Sequence, residues 1–351
     1  MSQEFKLIDQ YFLPLSRRLS KGEIGIGDDG AVMTPPANHQ LVVVTDTLVE
    51  GVHFPVNTPP QDLAWKAVAV NLSDLAAMGA KPGFISLALT LPNNDQAWLA
   101  SFTLGLSAIC TQYKMPLIGG DTTKGPLTIT VTAHGWVEHS KALLRSGAQV
   151  GDVIVVSGEI GNAGLGLKFA LNQLPKSEQA WFNEHDIKTC LEALNRPIPQ
   201  VELGRLLQNY ATSAIDISDG LLADLGHILE QSNHQFSLQQ GAKREADIGM
   251  DFDVNIGAEI YLDHLPVSMA MNKWLKQKQD WSLPLSAGDD YQLCFTVNPQ
   301  HWQALRLAAK KQGVCIASVG TITQYAGVKI KHNETSNEAM QHLNNLGYQH
   351  F

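Results

Sequence analysis

Ala67-Val-Ala-Val-Asn-Leu-Ser-Asp74-Leu-Ala-Ala-Met78-Gly79 is apolar nearly all the way round a helix, yet carries an aspartate at its centre. A charge in such a setting needs a partner or a metal, because an unpaired carboxylate in an apolar surround is strongly disfavoured. The spacing predicts a long helix from Asp62 to about Met78, ended by Gly79. Before it, Leu41 to Thr45 is β-branched and apolar and reads as a buried strand. After it come a strand at Phe84 to Leu91, a helix over 95–112 and a short strand at Pro116 to Ile118. Gly119-Gly-Asp-Thr-Thr123 is then expected as a loop, and Leu127 to Val137 alternates like a further strand.

Further out, residues 5–19 have helical spacing, and Gly25-Ile-Gly-Asp-Asp-Gly30 is rich in turn formers. Arg145-Ser-Gly-Ala-Gln-Val-Gly-Asp152 is the best domain boundary, dividing the chain into 1–147 and 148–351. Beyond it the pattern restarts with a strand at Val153 to Val156, a Gly-rich turn from Gly158 to Gly166, and a helix. Ala214 to Ile217 is a short strand, and Ser218 or Asp219 can cap a helix over 220–231. Residues 232–258 are polar and support no assignment. Tyr291 to Val297, 299–311 and 314–322 read as strand, helix and strand. A chain of 351 residues exceeds what one core usually serves, so two domains of α/β or α+β type are expected.

Net charge is −9 and no run of Lys and Arg appears, which argues against a nucleic-acid partner. An anionic substrate would need cations to bridge it to this surface. The four cysteines are far apart, so neither a zinc site nor a disulfide framework is expected. No apolar run approaches a membrane span, and the N-terminus does not read as a signal peptide. A soluble cytoplasmic protein is the expectation.

Six short segments share one grammar, with Asp beside Gly, Ser or Thr at the end of an apolar run. They contain Asp29, Asp46, Asp74, Asp121, Asp216 with Asp219, and Asp289. Any one of them reads as easily as a turn or a helix cap. Together they supply hard oxygen ligands of the kind magnesium prefers. Two competing motifs fail. Gly25-Ile-Gly-Asp-Asp-Gly30 has dinucleotide-fingerprint spacing, but Pro35 and Pro36 follow too closely for the required helix. Gly161-Asn-Ala-Gly-Leu-Gly166 has phosphate-loop spacing, but Leu167 stands where Lys is needed. Phosphoryl transfer runs largely on positioning and charge neutralisation, so a carboxylate cluster can hold ATP through magnesium without a phosphate loop.

In order and spacing, these motifs resemble the thiamine-monophosphate kinase family, within the superfamily of aminoimidazole ribonucleotide synthetase. The resemblance rests on Gly25 to Asp29, Thr45-Asp-Thr-Leu-Val-Glu-Gly-Val-His-Phe54, Ala69 to Ala80, Leu117 to Thr123, Arg145 to Gly147, Ala214 to Gly220 and the closing Gly347-Tyr-Gln-His-Phe351. It implies a two-domain aminoimidazole ribonucleotide synthetase-like fold, with an N-terminal half forming a dimer β-barrel and a C-terminal α+β half. It implies a homodimer that passes the γ-phosphate of ATP directly to thiamine monophosphate. Asp29, Asp46, Asp74, Asp121 and Asp216 would be magnesium ligands, Asp219 would bind a further Mg2+, and Thr45 would add an oxygen. Gly120, Asp121, Arg145 and Ser218 would touch ATP, and His53 and Asp289 the substrate. The ions implied are several Mg2+, with K+ left open.

Three places depart from the family pattern. Val44 stands where some relatives have Ser, Ala287 and Asp289-Asp290 where Gly and Glu-Asp are usual, and Asn345-Leu346 where an aromatic residue precedes the terminal Gly-Tyr. Another ATP-dependent enzyme of the superfamily, or a non-catalytic ATP-binding dimer, remains the alternative. Selenophosphate synthesis would need a Cys near the N-terminus, and the first here is Cys110.

Overall fold

The computed structural model describes residues 6–16, 19–244 and 255–333. The calls on Asn345, Leu346 and Gly347–Phe351 lie outside the described residues, as does part of 232–258. The chain divides into two compact units. One holds the chain up to Ala76, Ala80–Ala142 and Asn195–Val201; the other holds Ala77–Gly79, Leu143–Leu194 and the chain from Glu202.

Among the described residues, the first unit carries a four-stranded sheet. Its strands are β1 (His39–Val49), β2 (Lys81–Leu91), β3 (Leu117–Lys124) and β4 (Thr128–Glu138), in the order β1-β4-β2-β3. The β1–β4 and β2–β4 pairs are antiparallel and β2–β3 is parallel, which leaves β1 and β3 as edges of an open sheet. Helices Pro60–Ala77 and Gln96–Gln112 belong to the same unit, and the first packs on the sheet through Leu75, whose Cδ2 meets the space over Gly135. Val42 and Leu48 of β1 are buried, while Leu41, Val43, Thr45 and Thr47 point to the other, exposed face. That alternation is the two-residue period of a half-buried strand. The two helices meet at Gly105, where an added Cβ would lie 2.2 Å from the Gln61 carbonyl oxygen.

The expected loop at Gly119–Thr123 is strand: Gly120 pairs with Leu87 and Asp121 with Ala88. Glycine signals usually mark a break, but here they serve close approach. A Cβ on Gly120 would sit 1.8 Å from the Leu87 carbonyl oxygen, and its φ of 151° lies outside the range comfortable for other residues. The described part of 5–19 is a π-helical turn at Ile8–Phe12 followed by a 3-10 turn at Leu13–Ser16, in place of the predicted amphipathic α-helix.

In the second unit the sheet is mixed, ordered β10-β7-β9-β5-β8-β6 among the described residues. Its strands are β5 (Val153–Ser157), β6 (Ala211–Asp216), β7 (Gly257–Tyr261), β8 (Leu293–Val297), β9 (Ile316–Thr323) and β10 (Gly327–Lys331). Only β7–β10 is parallel among its pairs. The Gly-rich run expected as a turn through Gly166 is helical from Asn162 to Ala170. Its glycines admit close neighbours: a Cβ on Gly166 would meet the Cys190 carbonyl oxygen at 2.2 Å. The helix expected to end near 231 runs Leu221–Arg244. Among the described residues, no helix is long and apolar enough to cross a membrane.

Gly105→Ala is expected to destabilise the first unit by about 1–3 kcal/mol, because the new methyl would meet backbone that cannot rotate away. Urea unfolding followed by tryptophan fluorescence would show a lower midpoint, and an unchanged midpoint would mean that the two helices separate without cost.

Candidate active site

The first unit brings Asp46 and Asp74 together. Asp46 sits near the C-terminal end of β1 on the same face as Val42 and Leu48, and Asp74 lies in the last turn of Pro60–Ala77. Their side chains are hydrogen-bonded. Burial raises the Asp46 carboxyl above its usual range, and the bond to Asp74 acts against that rise. Two carboxylates at this distance share a proton or a cation. One turn before Asp74, fully buried Asn71 donates through Nδ2 to the Ala67 carbonyl at 3.0 Å, while its Oδ1 has no hydrogen-bond partner among the described residues. A carboxylate pair beside an unused amide oxygen is a hard, anionic donor set that suits magnesium.

The remaining residues singled out in this unit lie on strands and turns. Asp121 is exposed on edge strand β3, with Gly120 before it. Asp28 and Asp29 are exposed at the tip of a small turn closed by the Ile24–Val32 bridge. Ser16 holds that turn, its Oγ accepting from the Ile26 N–H at 3.3 Å. Thr45 faces away from Asp46 and donates to the Thr132 hydroxyl at 3.0 Å, so its side-chain oxygen is on the opposite side of the sheet from the carboxylates. His53 closes the turn after β1, where its Nδ1 accepts from the Val49 N–H at 3.0 Å. That bond puts the proton of the neutral ring on Nε2. Among the described residues, no three His, Cys, Asp or Glu side chains close on one metal position.

In the second unit Asp216 ends β6, buried, and Ser218, Asp219 and Gly220 turn the chain into the Leu221–Arg244 helix. Among the described residues, neither Ser218 nor Asp219 caps that helix by its side chain. Asp224, inside the first helical turn, reaches back instead, and its Oδ2 accepts the N–H groups of Ser218, Asp219 and Gly220 at 3.0, 3.1 and 3.1 Å. Burial, with the charges of Asp216 and Asp219, pushes the Asp224 carboxyl up to about 8, against the pull of those amides. Sequence reading missed Asp224; the signal was an acid in the first helical turn, where the helix dipole favours negative charge.

The loop before β8 packs on this turn. Asp289 has φ 70°, its N–H donates to the Ser218 carbonyl at 2.9 Å, and its Oδ1 accepts from the Tyr291 hydroxyl at 3.0 Å. Its neighbour Asp290 is buried, and its Oδ2 accepts the Gly161 N–H at 2.7 Å, with the Ala163 N–H also bonded to it. Burial, helped by the Asp289 charge, pushes the Asp290 carboxyl up to about 8. Arg145 is exposed, next to Leu144, whose carbonyl accepts from the Ala214 N–H of β6 at 2.9 Å. Each unit thus presents acidic groups with backbone amides or an amide oxygen close by, an arrangement suited to phosphate groups carried by hard cations.

Comparison with known proteins gives a consistent result. The family model for the AIR synthase related protein, N-terminal domain, matches residues 27–137. The chain is 41% identical over 326 residues to the thiamine-monophosphate kinase of Haemophilus influenzae, covering 92% of this chain and 90% of that protein. The crystal structure of thiamine-monophosphate kinase from Stenotrophomonas maltophilia K279a superposes with a TM-score of 0.79 at 40% identity, covering 94% of this chain and 97% of that one. A solved complex of AaThiL with AMPPCP and TMP is 27% identical, with a TM-score of 0.69 and 96% of each chain covered.

Asp290 gives a pH-dependent expectation. Its carboxyl is pushed up to about 8 from an ordinary value of 3.8, so the native state binds the extra proton between those values. Its contribution to stability is therefore fully present below about pH 4 and is lost as pH rises through 8. With Asp290→Asn, the stability of the wild type relative to the variant is expected to fall steadily from pH 5 to pH 8.5. Urea midpoints in metal-free buffer would measure this, and a pH-independent difference would mean that Asp290 is ionised throughout.

Proposed function

The chain belongs to the thiamine-monophosphate kinase family, and we propose that it moves the γ-phosphate of ATP directly and in line to the phosphate of thiamine monophosphate, giving thiamine diphosphate and ADP. The observation that carries this reading is the Asp46–Asp74 carboxylate pair, set on a strand and an apolar helix where an uncompensated charge would not persist.

Several magnesium ions would be held by Asp29, Asp46, Asp74, Asp121, Asp216 and Asp219; the expected Thr45 hydroxyl drops out of the set, because it lies on the other face of the sheet and bonds to Thr132. Magnesium usually takes only one or two protein carboxylates, the rest of its shell being water and substrate phosphates. Dispersed aspartates are therefore compatible with this assignment even without a three-ligand cage. When bound, the metal supplies neutralisation of charge on the phosphate oxygens. The chain's own residues bind and orient. The Gly120–Asp121 backbone, Arg145 and Ser218 contact ATP, Arg145 by the forked geometry that fits phosphate oxygens. His53 and Asp289 hold the substrate. The accepting phosphate is already anionic, so no strong general base is required. Residues 1–147 form the ATP- and magnesium-binding and dimerisation domain and 148–351 the α+β domain.

A homodimer in which two N-terminal sheets close into a β-barrel is supported by the uncovered face of β1. Leu41 and Val43 are 49% and 53% exposed there, beside the paired hydroxyls of Thr45 with Thr132 and Thr47 with Thr130. Two neighbouring β-branched or large apolar side chains on an open sheet face mark a surface that gains from being covered. Val43→Asp is expected to shift the protein from dimer to monomer in sedimentation velocity; an unchanged dimer would place the interface elsewhere. A cytoplasmic location fits ATP consumption and four cysteines, none of which is held in a disulfide.

The deciding assay supplies ATP, magnesium and thiamine monophosphate, with and without K+, and detects thiamine diphosphate as its thiochrome derivative. Asp74→Asn is expected to lower turnover by at least about 10²-fold with circular dichroism unchanged, in line with loss of a preorganised electrostatic group. Near-normal turnover of that variant at saturating magnesium would rule out the paired carboxylates as the metal site.

A further inference from the structure

Between the short helix Ser282–Ser286 and strand β8 the chain runs Ala287-Gly-Asp-Asp-Tyr-Gln292. This loop carries the β6–β8 pairing past its last strand residues, Asp216 and Leu293. The Ile217 N–H donates to the Gln292 carbonyl at 2.7 Å, the Tyr291 N–H to the Ile217 carbonyl at 2.8 Å, and the Asp289 N–H to the Ser218 carbonyl as described above. Gly288 makes the approach possible, since a Cβ there would lie 2.3 Å from the Ser218 carbonyl oxygen. Asp290 anchors the middle of the loop on the amides of Gly161 and Ala163.

Two residues of this loop hold backbone angles that most side chains disfavour. Asp289 has φ 70° and Tyr291 has φ 49°. Aspartate tolerates the left-handed region, but a bulky tyrosine rarely enters it. Such strain persists only where the surroundings over-determine the conformation, and it gathers at ligand-binding sites. Its result here is that the side chains flanking buried Asp290 meet, the Tyr291 hydroxyl donating to Asp289 Oδ1 at 3.0 Å. Tyr291 is 8% exposed, so its ring is held by packing and its hydroxyl is a fixed point. Asp289 is half-buried, so part of it stays open to a ligand. A phenylalanine at 291 would fill nearly the same space. The hydroxyl adds a tether on the one acid of this loop that the substrate reading uses.

We propose that Tyr291 is a positioning residue, whose hydroxyl holds the Asp289 carboxylate in the orientation that meets thiamine monophosphate. The inference rests on the kinase reading above and on Asp289 as its substrate contact. Holding the carboxylate in advance spares the entropy of ordering it when the substrate binds. Tyr291 acts through Asp289, so its hydroxyl matters only while Asp289 is present.

The test is a double-mutant cycle in the full-length protein, with the wild type, Tyr291→Phe, Asp289→Ala and the double variant. Circular dichroism and thermal midpoints serve as folding controls. Titration calorimetry gives the Kd for thiamine monophosphate, and thiamine diphosphate formation gives KM and kcat. Tyr291→Phe is expected to raise the Kd and the KM for thiamine monophosphate by about fivefold to tenfold, the scale of one intramolecular hydrogen bond. The kcat and the KM for ATP should stay within about twofold. In the Asp289→Ala background the same substitution should change the Kd by less than about twofold, because residues that act as a unit are not additive. An unchanged Kd and KM in Tyr291→Phe, or equal losses with and without Asp289, overturns the positioning role, while thiamine diphosphate made by the wild type upholds the kinase reading. Coupled losses in Kd, with no thiamine diphosphate made by the wild type, leave the positioning role standing and remove the reaction assignment.

Discussion

Two carboxylates in hydrogen-bond contact, one on strand β1 and one on the largely buried Pro60–Ala77 helix, set the terms for the first unit. Like charges so close repel unless a proton or a cation lies between them. The surrounding structure keeps them there by rigidity. The Pro60–Ala77 helix is buried almost throughout, wedged between the sheet at Gly135 and its neighbouring helix at Gly105. Those glycines let backbones approach closely and so fix the helix that carries Asp74, which is itself half-buried. The packing thus stores a requirement for positive charge and presents it beside the end of β1.

The second unit handles acids by another route. Asp224 and Asp290 are each buried, and each collects backbone N–H groups, three from the Ser218–Gly220 turn and two from Gly161 and Ala163. These side chains act as internal clamps that fix two neighbouring loops. Asp216, Asp219 and Asp289 then stand on backbone that is already ordered, which spares the entropy of arranging them when a ligand arrives.

Much of the fold was legible because the hydrophobic period was clear. Strands β1, β2 and β4 alternate, the helices 96–112 and 299–311 start at their capping residues Asp95 and Asn298, and the helix expected from Asp62 begins two residues earlier at Pro60. Glycine misled at two places. At Gly120 and in Gly161–Gly166 it serves close approach inside regular structure, a tertiary reason that local turn chemistry cannot reveal. The helix after Gly220 was cut short because its second half, with mean composition polar and Gln-rich, lacks an apolar stripe. Of the site, the aspartates could be named from their Gly, Ser and Thr neighbours. Which of them meet could not, because the Asp46–Asp74 contact joins a strand to a helix. Asp224 escaped because its partners are backbone amides, which leave no mark in the sequence.

The carboxylate of Asp290 sits at the start of the Asn162–Ala170 helix, on the amides of a segment whose spacing imitates a phosphate loop. The chain has thereby occupied the Gly161 and Ala163 amides with its own carboxyl group. Motif scans that count glycines will keep finding a nucleotide loop in this sequence; the molecule has closed it from within.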